Sequence, residues 1–210
     1  MTSLEKIRVL AVEGDAEAQY KLGLFYETGR GLEQSYEEAH RWFTKAALQG
    51  YALAQNSLGV LYSSGKGVKR CFQRAFHWYQ RAAELGDAYA QFNLAVMYKN
   101  GLGVEADVLE ALSWYREAAA QGDAAALNNL GLMYKHGEGV KVDYDKAFEL
   151  FKCAADQGGD AKAMANLAEM YEKGWGTAKN LDLALTYYAQ AAELGHPKAE
   201  EKIGYYATHH

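Results

Sequence analysis

The chain has 210 residues, 50% of them hydrophobic, with a formal net charge of -5 and a pI near 5.7. That charge argues against general nucleic-acid binding, which needs many cations to displace phosphate counterions. No run of roughly 18 apolar residues occurs, so no membrane insertion is expected. The charged amphipathic start, MTSLEKIRVLAVEGD, has no secretory core, and a cytoplasmic protein is expected unless a leader has been removed.

In chain order, residues 4–13 match only the second half of a unit that recurs later. They read as one N-terminal capping helix within segment 1–14. A pattern of 36 residues then repeats across 15–50, 51–86, 87–122 and 123–158, and once more at 160–195 after a single inserted Gly159, so that the fifth unit spans 159–195. A fixed period of this size marks a solenoid, in which each unit buries its apolar face only against its neighbours.

Every copy divides into two helices. In the first copy, helix A is expected at about 16–27 and helix B at about 36–49. Ala18, Leu22, Phe25 and Tyr26 recur at the three- and four-residue spacing of a one-sided helix. The position before helix A holds Asp15, Tyr51, Asp87, Asp123 and Asp160, and the position before helix B holds Ser35, Cys71, Asp107, Asp143 and Asn180. Four of five in each set can cap the first-turn amides, each worth about 1 kcal/mol. The second copy lacks both caps. The first glycine of a Gly-x-Gly loop ends each helix A. Ala39, Trp42, Phe43, Ala46 and Ala47 form the expected buried stripe of helix B. The tyrosine and tryptophan positions Tyr26, Tyr62, Tyr98, Tyr134, Tyr171, Trp42, Trp78 and Trp114 are read as core. After Gly195, Pro197 suits the first turn of a closing half repeat over 196–210. His209 and His210 could be native or the start of a tag.

The pattern A-x-x-x-L-G-x-x-Y-x-x-G-x-G-V followed by D-x-x-x-A-x-x-W-Y-x-x-A-A-x-x-G is carried most clearly by Leu94, Tyr98, Gly101, Gly103, Val104, Asp107, Ala111, Trp114, Tyr115, Ala118, Ala119 and Gly122. It resembles the Sel-one-like repeat family, which is similar to tetratricopeptide repeats, and the resemblance covers nearly the whole chain. It implies one all-α domain over 1–210, a right-handed superhelical solenoid of about twelve helices. It also implies a scaffold or adaptor, often bacterial, that binds another protein in a groove lined by the A helices. Secreted relatives carry a disulfide in each repeat. Here Cys71 and Cys153 fall at different repeat positions, two repeats apart, where a bridge is not expected.

No cofactor, metal or catalytic set is expected. The loop glycines lack the flanking residues of a phosphate cradle. His40, His77, His136 and His196 share no spacing. Ser63 and Lys66 fit Ser-x-x-Lys, which gives the alternative of a serine hydrolase of the penicillin-recognising type. Gly65, however, would end the helix between them.

Positions that vary among copies are free of packing duty. By analogy with tetratricopeptide repeats, the groove candidates are Asn56, Tyr89, Phe92, Asn93, Lys99, Asn128, Asn129, Lys135, His136 and Asn166. Asparagines could pair with a peptide backbone, rings could hold apolar side chains, and Lys99 and Lys135 could meet an acidic group. A second candidate surface is the basic loop of the second copy, with Lys66, Lys69, Arg70 and Arg74. The expected function is a non-catalytic interaction module: a regulator, a signalling adaptor or a toxin-neutralising protein of immunity type.

Overall fold

A carboxylate opens most A helices. Asp15, Asp87 and Asp123 each accept from the amide three residues on at 2.7 Å, and Asp160 accepts from Lys162 N at 2.8 Å. Helix B is opened in the same way by Ser35, Asp143 and Asn180. Tyr51 and Cys71 make no capping bond, so the second repeat lacks both, as its sequence indicates. Each A helix ends on a left-handed glycine whose amide returns to the helix, for example Gly29 to Phe25 O at 3.0 Å.

The computed structural model describes residues 3–158 and 160–209, so the inserted Gly159 and His210 lie outside it. Among the described residues there are twelve helices and no strand. The chain divides into two compact units, Met1–Asp107 and Val108–His210. The first holds α1 (Ser3–Glu13), α2 (Ala16–Thr28), α3 (Tyr36–Leu48), α4 (Ala52–Ser64), α5 (Phe72–Glu84) and α6 (Ala88–Asn100). The second holds α7 (Val108–Ala120), α8 (Ala124–His136), α9 (Tyr144–Gly158), α10 (Ala161–Lys173), α11 (Leu181–Glu193) and α12 (Pro197–His209). Within each unit consecutive helices pack as helix-turn-helix pairs, the arrangement of an all-α solenoid.

Two close approaches set the packing. Inside a repeat, the residue after the A-helix leucine faces the ring of helix B. A Cβ on Gly23 would stand 2.5 Å from the Phe43 ring, and one on Gly131 would stand 2.7 Å from Phe151. Between repeats, the second loop glycine meets the first turn of the preceding helix B. A side chain on Gly103 would run into the Phe72 carbonyl, and one on Gly176 into that of Tyr144. Both glycines have positive φ, so conformation and space exclude other residues together.

The ring at the centre of the helix pairs within the units is Phe43, Tyr79, Phe151 or Tyr188, and Tyr115 holds the same register on α7; all five are buried. This corrects the expectation of a tryptophan core, because Trp42, Trp78 and Trp114 are only half-buried. One residue is about 100° of helix rotation. The tryptophans before Phe43 and Tyr79 therefore lie at the edge of their pairs, where Lys45 covers Trp42 at 4.1 Å and Arg81 covers Trp78 at 5.5 Å. Tyr26, Tyr98 and Tyr171 are half-buried too, whereas Tyr62 and Tyr134 are buried.

A buried glutamine ties successive repeats in the first unit. Gln19, Gln55 and Gln91 donate to the carbonyls of Ala11, Ala47 and Ala83 near the ends of the preceding helices. Gln19 Oε1 in turn accepts from Gln49 Nε2 at 2.8 Å. One repeat later the register of Gln49 is held by Leu85, which is 58% exposed, and Gln55 Oε1 is buried without a hydrogen-bond partner. Leu85 and Gln49 have nearly the same backbone angles at the ends of their helices. Leu85→Gln should therefore supply the missing donor and stabilise the protein by about 1 kcal/mol. Urea denaturation checks this, with a higher midpoint expected and an unchanged or lower one against it.

Candidate functional site

The A helices carry a column of polar side chains two residues and one residue before the buried leucine. Asn93 Nδ2 donates to Asn56 Oδ1 at 3.2 Å within the first unit, and Asn166 Nδ2 donates to Asn128 Oδ1 at 2.8 Å within the second. Both rungs join the same two positions on successive A helices. Asn129 instead donates back within its own helix, to Ala125 O at 2.8 Å. The asparagines are thus fixed in orientation before any ligand arrives, and an ordered polar surface loses little entropy on binding.

The other groove candidates are placed variously. Tyr89 on α6 is 65% exposed, Phe92 and Lys99 are half-buried on the same helix, and His136 is exposed at the end of α8. Asn128 is buried. Lys135 is 8% exposed, bonds Glu169 Oε2 at 2.6 Å and sits 5.5 Å from the Trp175 ring. Its charge is already neutralised within the fold.

In the second unit this surface deepens into a groove of about 580 Å³. Asn128, Ala165 and Asn166 form part of its lining, with Glu169 and the lysines Lys162, Lys198 and Lys202 around them. Lys202 reaches down to Glu172, a 7% exposed carboxylate on α10 that also accepts from the Tyr188 hydroxyl at 2.7 Å. Burial works against ionisation of Glu172. The bonds from Lys202 and Tyr188 outweigh it and hold the carboxyl below its ordinary value. Burial, helped by that carboxylate, pushes the Tyr188 phenol far up.

The basic residues of the second repeat do not converge on one point. Lys66 lies over the Tyr36 ring at 5.3 Å, Arg70 over Phe72 at 5.7 Å, and Arg74 over Tyr62 at 5.5 Å, while Lys69 is exposed. The Tyr62 hydroxyl also meets His40 Nε2 at 3.0 Å. Burial, with Arg74 nearby, pushes the His40 ring down, so it stays neutral at pH 7. Ser63 and Lys66 have different partners. The serine hydroxyl donates to Val60 O at 3.0 Å and lies 3.2 Å from the Tyr79 hydroxyl, and α4 ends before Lys66. Both cysteines are free thiols. Among the described residues no group of three or more His, Cys, Asp or Glu is placed to hold a metal ion, and no helix is long and apolar enough to cross a membrane.

Helix pairs in tandem, tied by close-approach glycines and carrying a fixed polar rung within each unit, define the class of α-solenoid repeat proteins. The Sel1 repeat model matches residues 16–51, 52–87, 88–123, 124–159 and 161–196, and the chain belongs to this family. Repeats of this family are typical of protein–protein interaction. Among solved structures, a protective antigen of uropathogenic Escherichia coli with an SLR fold is similar at 36% identity and a TM-score of 0.87, over 95% of this chain and 42% of that one. The chain therefore spans less than half the length of that antigen. A Sel1 repeat protein from Oxalobacter formigenes is similar at 37% identity and a TM-score of 0.84, over 90% of this chain and 74% of that one. An immunity protein from Pseudomonas aeruginosa is similar at 25% identity and a TM-score of 0.59, over 88% of this chain and 66% of that one. No curated protein matches the chain.

Proposed function

We propose that the protein is a non-catalytic interaction module that holds a segment or domain of a partner protein against the face formed by its A helices, and that it acts inside the cell. The observation that carries this reading is the pair of asparagine rungs, Asn93 to Asn56 and Asn166 to Asn128, which present oriented amides beside the exposed ring of Tyr89 in one unit and a lysine-rimmed groove in the other. Such a face recognises a peptide backbone through its amides and a few side chains through rings and charges. Asn93→Ala combined with Asn166→Ala removes both donors and leaves the buried leucines and glycines untouched. Binding of the captured partner, measured by calorimetry, should fall roughly tenfold with helicity unchanged. Equal affinity in the double variant would contradict the assignment.

A neutralising role of immunity type is the second reading, favoured by the likeness to the Pseudomonas immunity protein over 88% of this chain. It requires the partner to be an enzyme whose activity stops in an equimolar complex. A captured partner that stays fully active when bound would instead support an adaptor.

A further inference from the structure

One column of the A helices changes character along the chain. The position five residues before the buried leucine, or its isoleucine counterpart in α12, holds in turn Glu17, Leu53, Tyr89, Ala125, Lys162 and Lys198. The last two are lysines one repeat apart, exposed, and both line the groove of the second unit. The only carboxylate among the described residues of that lining is Glu169, and Lys135 already pairs with it at 2.6 Å. Lys202 is matched by Glu172 below. Among the described residues Lys162 and Lys198 have no carboxylate in ion-pair reach. A chain with a net charge of -5 therefore concentrates two unmatched cations on the A-helix face of its second unit, at α10 and α12.

We propose that this part of the face takes an acidic segment of the partner protein, laid across α10 and α12 in extended form. The inference rests on the reading of the A-helix face as the binding face. α10 and α12 both pack on α11 and are bridged by the bond from Lys202 to Glu172, which puts their axes on the order of 10 Å apart. An extended chain advances about 3.3 Å per residue. Acidic side chains three residues apart therefore match the spacing of Lys162 and Lys198. The same groove is lined by the rung from Asn166 to Asn128, in which Asn166 spends one N–H. Its carbonyl oxygen and second N–H are left to pair with the peptide backbone. The matched pair Lys135–Glu169 supplies no net charge, so the attraction comes from the two rim lysines.

The test is selection of a random dodecapeptide library on the intact chain, followed by binding of the recovered peptides to wild type and to Lys162→Glu with Lys198→Glu. Both lysines are exposed, so the double variant should keep its circular dichroism and melting temperature. Recovered peptides should carry Asp or Glu at positions three apart and should bind the double variant at least roughly tenfold more weakly. Their affinity should also fall between 50 and 200 mM salt, within the range where exposed charges become screened. Recovered peptides without acidic enrichment, but weakened by the Asn93 and Asn166 substitutions, would overturn the acidic assignment and leave the A-helix face standing. Failure to recover any peptide would overturn both. A single-stranded oligonucleotide that displaced the recovered peptide at equal concentration would overturn the assignment to a peptide.

Discussion

Phe151→Ala should cost the protein about 4 kcal/mol of stability. Phe151 on α9 has 0% of its surface exposed and fills the centre of the fourth helix pair. Truncating a buried phenylalanine removes its transfer free energy and leaves a cavity, together worth about 3–5 kcal/mol. The upper part of that range is expected here because the residue facing the ring is Gly131, which has no side chain to move into the hole. Phe151→Tyr should cost far less. Tyrosine stands in this register in three other repeats, and each of the hydroxyls of Tyr79 and Tyr188 is met from the preceding A helix, by Ser63 and Glu172. The register of Ser63 and Glu172 is held in the fourth repeat by Lys135, an ammonium able to donate to a new phenol. Urea denaturation of both variants checks the pair of values. A loss below about 1.5 kcal/mol for the alanine variant would mean that the repeat collapses around the gap.

Glu172→Ala should cost about 2–3 kcal/mol, and the loss should be felt first in the last helix. The substitution strands the buried Tyr188 hydroxyl and leaves Lys202 on α12 without its partner. A buried polar group left unpaired costs about 1–3 kcal/mol, and Lys202 is exposed enough to recover water. Glu172→Gln keeps an acceptor for Tyr188 and should cost about half as much. Amide exchange in α12 should accelerate in both variants, while exchange in α2 to α5 stays unchanged. The pH dependence has a definite sign. The folded carboxyl titrates below its ordinary value of 4.5, so its contribution is complete above that value. It is lost as the pH falls through the lower folded value. The stability gap between wild type and Glu172→Gln should therefore be level above pH 4.5 and should narrow as the pH falls below it. A gap that did not narrow on acidification would show that Glu172 stabilises α12 by packing and not by charge.

The architecture was legible because the repeat states the same constraint five times. Leucine, glycine and capping aspartate recur at fixed offsets, and each recurrence removes an alternative assignment. The second loop glycine was legible as a pattern but not in its cause, since only the fold shows Gly103 and Gly176 pressed against the preceding helix. The tryptophans misled because hydrophobic size was read as depth. A side chain one residue from the centre of a helix face lies at its edge, and only the partner cations Lys45 and Arg81 explain how it stays there.

The asparagine column was visible as variation within a rigid pattern, and its members pair across repeats. Their pairing with one another could not be read from one copy, because each rung joins residues 37 or 38 positions apart. Lys135 was legible as a cation, yet its charge is neutralised by Glu169, also one repeat away. Lys162 and Lys198 were missed although a signal existed. They lie one period apart, and aligning the copies by column exposes the change from Tyr89 and Ala125 to lysine. The orphaned oxygen of Gln55 follows from the same alignment, through the exchange of glutamine for Leu85.

The central claim is that partners bind on the A-helix face. Photo-crosslinking from single sites tests it most directly. A benzophenone amino acid replaces Tyr89, exposed on α6, in one sample and Leu48, exposed at the end of α3, in another. Each is irradiated in lysate of the source cell. A partner adduct that forms from position 89 and not from position 48 is the predicted result. The same partner captured from position 48 alone would contradict the claim and place the binding surface on the B helices.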